Sequence, residues 1–504
     1  MAVPNLDTNE DDAAEPPSDL LPDNTEDKLL KKKILLDTIL DKLRGSNDEV
    51  LKQLSQAIDS GDNLNADVLS GGYTNYSYKV YVEGNPDLCI FAKLCFEYAL
   101  WNPDRNAFYD LKRTENEYDL MVKVSKVSPE CVVAPLGCWD LVYEGEKMKI
   151  LALVWSKADE QLANQFVDGS IDPRLAPKIA KTLALLNLES FDENFNEQVN
   201  GSILNLLDSS AAHIQDLCAT TSPADRVEEY CANVGAELDA AYKEIRTNYL
   251  TKECLMHNDS HVFNILAEAK PSIEQLEEFG PEGQVCLVDW EMCTPGPIGR
   301  DIGLAMSFPF VCALTHALNG HLAPVDSIVS YINTLLDVYL KQMKDSGKSN
   351  DELASIIRTI FGQSGVFLYL CFYFLKLQDM FPSQSDDDKV MIQETAGVLG
   401  LKFIHFAFGD TSNATSGELR DKFMAFYEEE MARMNDLFKS RKQKMRTRKS
   451  SLFRAESRRF SDASMMVLGA ESVRRLSISA SDRTTDRRSS MAKLAKDMST
   501  RFEV

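Results

Sequence analysis

The chain has 504 residues, 44% of them hydrophobic, which is enough for about two to four ordinary domains or one large bilobal enzyme with a sizeable core. A formal net charge of −24 excludes general nucleic-acid binding and a uniformly basic membrane-facing surface. Eleven cysteines are scattered without a Cys-x-x-Cys pair or a zinc spacing, so small buried thiols in a reducing, cytoplasmic setting are expected.

The charge is unevenly spread. Residues 1–27 carry nine acidic side chains and no Lys or Arg, and from Lys439 onward 18 Lys and Arg stand against 7 Asp and Glu. Residues 1–27 are expected to be an acidic disordered segment. The start, Met1 to Asp7, lacks the positive and apolar regions of a signal peptide and is too acidic for a transit peptide. Lys28 to Leu54 has helical periodicity through Leu35, Leu36, Ile39, Leu40 and Leu43. Val68 to Val82 reads as strand, glycine turn and strand, with Gly71 and Gly72 at the turn, and Asp87 to Leu94 reads as a further strand. Residues 108–126 read as a helix, and Val132 to Trp139 and Lys147 to Trp155 as two more strands. An N-terminal lobe over 28–155, a small sheet interrupted by one helix, is therefore expected.

From Ser156 the pattern turns helical. Pro173 to Leu188 and Val227 to Leu250 are amphipathic, and two short strands are expected to flank the segment around Asp259. Helices are then expected over Asp301 to Ala317, Val325 to Lys344, Asp351 to Asp379, Val390 to Phe408 and Gly417 to Phe438. Two uncharged stretches, Ile302 to Val325 and Thr359 to Leu375, approach membrane length, but their Pro, Gly, His and Gln content reads as buried helices of one lobe. That helical C-terminal lobe spans 156–438, and no transmembrane segment is expected. The Ser/Arg-rich tail over 439–504 repeats Arg-Arg-x-Ser around Ser461 and Ser477, with Ser489 and Ser490 after Arg487-Arg488. Such a tail cannot bury a core. It suits either an unmodified solvated segment or a substrate of a basophilic kinase, whose phosphates would remove part of its positive charge.

The chemistry concentrates in His257-Asn-Asp259-Ser-His261-Val-Phe-Asn264 and Val285-Cys-Leu-Val-Asp289-Trp-Glu291. Asp259, five residues before an amide side chain, suits a group that accepts or orients a hydroxyl proton. Asn264 and Asp289 offer oxygen ligands for Mg2+. Glu291 adds a second carboxylate on the same side if the strand through Asp289 continues. Lys93 lies in the apolar strand Ile90-Phe-Ala-Lys93-Leu-Cys, where an ammonium would not be buried unpaired. It suits nucleotide phosphates, with Glu117 as its helix partner and Glu115 as the alternative. Gly71 and Gly72 would let backbone N–H groups approach triphosphate oxygens. Asp301 either caps the helix it opens or braces the loop around Asp259. His257 and His261 read as structural or substrate-facing, because magnesium prefers oxygen. The run Leu151 to Lys157 reads as a strand entering an interlobe hinge.

These residues together resemble the aminoglycoside phosphotransferase and choline kinase superfamily, of protein-kinase-like fold, as an order of motifs over roughly residues 35–440. The kinase loop runs His-Arg-Asp, four residues, then Asn, and here Asn258 stands in place of the Arg. Within the superfamily the chain most resembles the 5-methylthioribose kinases, through Gly72-Tyr-Thr-Asn75-Tyr76, Asp289-Trp-Glu291 and Gly296-Pro-Ile-Gly-Arg-Asp301-Ile-Gly303. His257-Asn-Asp259 instead matches the choline and ethanolamine kinase form. The resemblance implies an α+β bilobal fold with a β-rich N-lobe and a larger, mostly helical C-lobe. It implies ATP and Mg2+ as cofactors, a small-molecule hydroxyl substrate, and Asn75 among the nucleotide-binding residues. One departure concerns the paired arginines with which methylthioribose kinases contact their sugar: His405 and Phe406 stand there instead. The expected activity is phosphorylation of 5-methylthioribose or a related sugar, with choline or ethanolamine as the alternative acceptor. The alternative of another class is a catalytically weak kinase-fold binding protein regulated through its tail.

Overall fold

The computed structural model describes residues 25–444 apart from 45, 70–74, 99–109, 130, 157, 159, 193–194, 197–199, 269–283, 376–380, 382 and 410–413. Gly71, Gly72, Lys157 and the tail serines Ser461, Ser477, Ser489 and Ser490 lie outside the described residues, as does the acidic start up to residue 24. The chain divides into two compact units, Met1–Phe438 and Lys439–Val504. The second is described only over residues 439–444, which are helical.

The first unit opens with α1 (Thr25–Leu43) and α2 (Glu49–Asp59). The sequence pattern reads as one helix here. Asp48 divides it, because its carboxylate accepts from the amides of Val50 and Leu51 at 2.9 and 3.2 Å and starts a new helix. Five strands follow: β1 (Leu64–Val68), β2 (Tyr76–Val82), β3 (Asn85–Phe96), β4 (Pro135–Tyr143) and β5 (Glu146–Val154). They form one antiparallel sheet in the order β1-β2-β3-β5-β4. Glu144 and Gly145, both at positive φ, make the two-residue turn between β4 and β5, the hand of turn that matches strand twist.

Strand alternation gives the sheet two faces. Ile90, Ala92, Leu94 and Phe96 of β3 join Leu35, Ile39, Leu51 and Leu54 of α1 and α2 in one small core. The intervening residues, Phe91 and Lys93, point to the other face, where Leu151 and Leu153 of β5 belong to the large core of the rest of the unit. Helix α3 (Lys112–Val127), between β3 and β4 in sequence, packs on this second face through Leu120, Met121 and Val124.

The larger lobe contains α4 (Leu162–Asp168), α5 (Ala176–Leu188), α6 (Asn200–Cys218) and α7 (Arg226–Tyr249). Short strands β6 (Glu160–Gln161), β7 (Cys254–Met256), β8 (Ile265–Ala267), β9 (Val285–Leu287) and β10 (Thr294–Gly296) form two small sheets, β6-β8-β9 and β10-β7. Then come α8 (Arg300–Asn319), α9 (Leu322–Asp345), α10 (Asn350–Phe367), a π-helical segment (Leu368–Phe374), α11 (Asp386–Gly409) and α12 (416–438). This is the bilobal kinase-like arrangement. Helices α4 and α6 have no counterpart in the sequence reading. In α6, Gly201, Asn205, Ser209 and Ser210 dilute the pattern, and Leu207, Ile214 and Leu217 supply the buried stripe.

Two segments, Arg300–Asn319 and Asn350–Phe374, are long and apolar enough to cross a membrane. The first is 100% and the second 78% buried inside the protein, the mark of core helices. Close backbone approach explains some of their glycines. A Cβ on Gly365 would lie 2.5 Å from the Gly400 carbonyl oxygen, and one on Gly400 would lie 2.6 Å from that of Gly365, so α10 and α11 cross backbone to backbone.

The last helix is tied in by a buried charge. Glu430, 1% exposed, accepts two hydrogen bonds from Arg226 at 2.9 and 3.0 Å, one from Lys402 at 3.1 Å and one from Arg433 at 3.0 Å. Burial opposes its ionisation most strongly, but the bond to Arg226 and the charges of Arg226 and Lys402 outweigh it and hold the carboxyl below its usual range. A depressed carboxylate stabilises the fold above its unfolded-state pKa, and that contribution is lost as pH falls through the folded-state value. Glu430→Gln should therefore cost about 1–3 kcal/mol at neutral pH by removing the charge that Arg226, Lys402 and Arg433 share. Urea unfolding of both proteins should show the gap closing as pH falls below the ordinary carboxylate range.

Candidate active site

The site is built where β3, α3 and the turn after β9 converge. Lys93 pairs in register with Ser77 and Leu151 on the face away from α1 and α2. Its Nζ donates to Glu117 Oε2 at 3.2 Å, Asp289 Oδ1 at 2.6 Å and Glu291 Oε2 at 3.0 Å. Glu117 therefore faces Lys93, whereas Glu115, the alternative partner, meets Lys149 at 2.8 Å. The second oxygen of Glu117 accepts from the Trp290 amide at 3.1 Å, which links α3 to the turn.

That turn departs from the sequence expectation. The strand does not continue through Glu291. Asp289 takes a left-handed backbone conformation (φ 64°) and starts a 3-10 turn over Trp290–Met292. The turn, not strand alternation, brings Asp289 and Glu291 to one point. Trp290 anchors it, fully buried, with its ring 4.4 Å from that of His257 and its Nε1 donating to the Leu287 carbonyl at 3.0 Å. Asn75 donates to Glu291 Oε2 at 3.2 Å and accepts from Arg113 at 3.2 Å. Asn196 holds the same turn, donating to the Glu291 and Cys293 carbonyls at 3.0 and 2.8 Å. Neither Arg113 nor Asn196 stands out in the sequence. Arg113 lies one helical turn before Glu117, a spacing that puts both on one face, but nothing local marks Asn196.

Asp259 lies on the loop between β7 and β8. Asn264 Nδ2 donates to its Oδ2 at 2.8 Å and to its carbonyl at 3.0 Å, and His261 Nε2 lies 3.2 Å from its Oδ1. Burial raises the Asp259 pKa most, but the charge and hydrogen bond of His261, with His257 and Asn264, overcome it and bring it down to about 2. Asp259 is thus a carboxylate at neutral pH. His257 reads as structural: its Nε2 donates to the Val288 carbonyl at 3.1 Å, fixing the loop against the strand that leads to Asp289.

Asp301 braces this loop and does not cap its own helix. Its carboxylate accepts from the amides of His257 at 2.9 Å and Asn258 at 2.8 Å and from Asn187 at 3.3 Å. Gly299, at φ 103°, occupies the cap position of α8. The partners of His405 and Phe406 lie away from the carboxylates around Lys93. His405 contacts Tyr230 at 3.1 Å and Glu237 at 3.3 Å, and Phe406 packs on Phe423 and Phe426 of α12.

The donor set suits a divalent cation. Single carboxylate oxygens of Glu117, Asp289 and Glu291 lie within 4.8 Å of one another. Lys93 and, at 3.9 Å from Glu291, Arg113 are the cations beside them. Burial, then the neighbouring carboxylates, raise Asp289 and push Glu117 up to about 7 against the pull of Lys93, while Lys93 and Arg113 hold Glu291 below its usual value despite its burial. Hard carboxylate oxygens grouped this way are what Mg2+ takes.

Comparison with protein-family models finds no match, and a search of curated proteins finds none either. Among solved structures, the chain is similar to a spectinomycin phosphotransferase in complex with ADP and spectinomycin (13% identity, 71% of this chain and 98% of that one, TM-score 0.36). It is also similar to an aminoglycoside phosphotransferase from Alicyclobacillus acidocaldarius (12% identity, 73% and 92%, TM-score 0.37). A third is a thermostable aminoglycoside phosphotransferase mutant in a ternary complex with ADP and hygromycin B (8% identity, 70% and 97%, TM-score 0.34). Scores this low assign neither fold nor chemistry, and both rest on the geometry of the chain itself.

Because a cation competes with protons at these carboxylates, Mg2+ binding should release protons and tighten as pH rises through about 7. Calorimetry in buffers of different ionisation enthalpy measures the release. Glu117→Gln should reduce it.

Proposed function

We propose that the chain is an ATP- and Mg2+-dependent phosphotransferase that phosphorylates a hydroxyl of a small metabolite, 5-methylthioribose or a related sugar. The observation that carries this reading is the convergence of Glu117, Asp289 and Glu291 on Lys93 Nζ. A lysine so held at a sheet face can bind nucleotide phosphates, while Glu117 keeps it from folding away. Asn75 would bind the same phosphates, a role that the motif resemblance also implies for Gly71 and Gly72.

Asp259 would accept a hydrogen bond from the acceptor hydroxyl and take its proton as that oxygen attacks the γ-phosphorus. The bond from phosphorus to the bridging oxygen breaks, and ADP leaves. Asn264 and His261 would keep Asp259 ionised and aimed. Asp289, Glu291 and Asn264 would hold Mg2+. The Nδ2 of Asn264 is committed to Asp259, so its carbonyl oxygen is the atom available for a metal. When bound, the ion supplies positive charge that neutralises the phosphates.

The sugar reading rests on the motif resemblance around Asp289 and Gly296–Gly303. The ammonium-alcohol reading, choline or ethanolamine, has one observation in its favour. The His261 ring, beside Asp259, lies 5.6 Å from that of Phe263 and 6.0 Å from that of Phe367, and aromatic faces attract cations. Most of the following aromatic segment is core: Tyr369 and Phe372 are buried. A catalytically weak binding protein is the weaker reading, because Lys93, Asp259, Asn264 and Asp289 all carry the groups the reaction needs. The tail serines would be sites for a basophilic kinase.

ADP release with Mg2+ and ATP, measured against methylthioribose, ribose, choline, ethanolamine and aminoglycosides, tests the proposal. Turnover is expected with methylthioribose, and turnover with choline or ethanolamine alone would transfer the assignment to them. Asp259→Asn should lower kcat by about 10²- to 10⁴-fold while ATP still binds. Silence of the wild type on every acceptor would favour the binding-protein reading.

A further inference from the structure

Arg300, the first residue of α8, is buried at 7% exposure, and its hydrogen-bond partners are neutral amide oxygens. Its Nε donates to Asn258 Oδ1 at 2.7 Å, its Nη1 to Gln363 Oε1, and its guanidinium lies 4.9 Å from the centre of the Tyr249 ring. Asn258 directly precedes Asp259 and is 2% exposed, with a left-handed backbone (φ 68°). Its Nδ2 donates to the Met292 carbonyl at 3.1 Å and to the Tyr249 hydroxyl at 3.3 Å. Its backbone amide donates to Asp301 at 2.8 Å.

Asn258 is therefore a hub. It joins the loop of Asp259 to the end of the turn that carries Asp289 and Glu291, and Arg300 takes its remaining side-chain oxygen. Burying a guanidinium against neutral acceptors is costly, and an apolar side chain would often serve stability as well or better. What the guanidinium adds is a planar fork that reaches two acceptors on two segments at once. The sequence places Asn258 where the kinase loop has its arginine. The structure supplies a guanidinium at that loop from helix α8.

We infer that Arg300 is a positioning residue for the phosphotransfer site, acting through Asn258 to hold the Asp259 loop and the Asp289–Glu291 turn in one register. Its kinetic consequence rests on the phosphotransferase reading. Small misplacements of reacting groups weigh heavily on rate and little on ground-state binding.

The test is steady-state kinetics of full-length Arg300→Met, Arg300→Lys, Asn258→Gly and the double variant Arg300→Met/Asn258→Gly, on the acceptor that the wild type turns over. Glycine keeps the left-handed backbone at 258 and removes only the side-chain hub. Arg300→Met and Asn258→Gly should each lower kcat by up to about 100-fold with KM for ATP and acceptor little changed. Arg300→Lys should recover part of the loss. Since one residue acts through the other, the double variant should stay within about twofold of the worse single variant. A wild-type kcat in Arg300→Met, or losses that multiply in the double variant, would overturn the inference. Should Arg300→Met fail to fold, Asn258→Gly decides, and a wild-type kcat there overturns it equally. If the wild type itself turns over no acceptor, the phosphotransferase reading fails separately. Hydrogen exchange of the 257–264 amides then decides positioning: faster exchange in Asn258→Gly and Arg300→Met supports it, and unchanged exchange refutes it.

Discussion

One ammonium group, Lys93 Nζ, stands among three carboxylates at the meeting of sheet, helix and loop. Much of the structure can be understood as what is needed to keep it there. The strand must present Lys93 on the face away from α1 and α2, which the alternation of β3 achieves because Ala92 and Leu94 have a core of their own to fill. Helix α3 must hold Glu117 at the right height, and Leu120, Met121 and Val124 fix it from below. Like charges this close would repel strongly in a buried setting, so the cluster persists only with a cation at its centre. The same excess of negative charge makes it a place where a hard divalent cation, and the phosphates that travel with it, can be accommodated.

The loop carrying Asp259 is held by a different means. It has little regular structure, yet His257, Asn258, Ser260 and Val262 are buried, so their backbone amides need partners. Asp301 satisfies two of them, Asn187 and Tyr339 support it from α5 and α9, and Asn258 binds the neighbouring turn. Two non-glycine residues in left-handed conformations, Asn258 and Asp289, immediately precede Asp259 and carry the carboxylate at 289. Such conformations persist only where surrounding bonds over-determine them. Here the bonds are identifiable, and they come from α8, from the 3-10 turn and from α3.

Much of this was legible from local pattern. The apolar strand around Lys93, the helix bearing Glu117, the five-residue step from Asp259 to Asn264 and the apolar runs of α8 and α10 each announce themselves within a short window, because periodicity and burial are local properties of a strand or helix. The division of α1 from α2 was equally local, since an N-capping Asp48 marks it, but the continuing leucine pattern masked it. Helix α6 escaped notice because polar positions interrupt the spacing of Leu207, Ile214 and Leu217, which reach the core.

What the sequence by itself determined is therefore the kinds of groups and their order: a lysine strand, a glutamate helix, an aspartate–asparagine loop and a carboxylate pair. Only the tertiary structure decided how they meet. Glu291 reaches Lys93 because the chain turns sharply at Asp289, a conformation set by contacts with Trp290, His257 and Glu117 that no spacing encodes. Asn196 and Arg300 come to the site from about a hundred residues upstream and from the far end of the following turn, through bonds that exist only once the larger lobe has folded. Side-chain chemistry is written one residue at a time, whereas the hydrogen bonds that aim it depend on which distant backbone groups folding leaves unsatisfied.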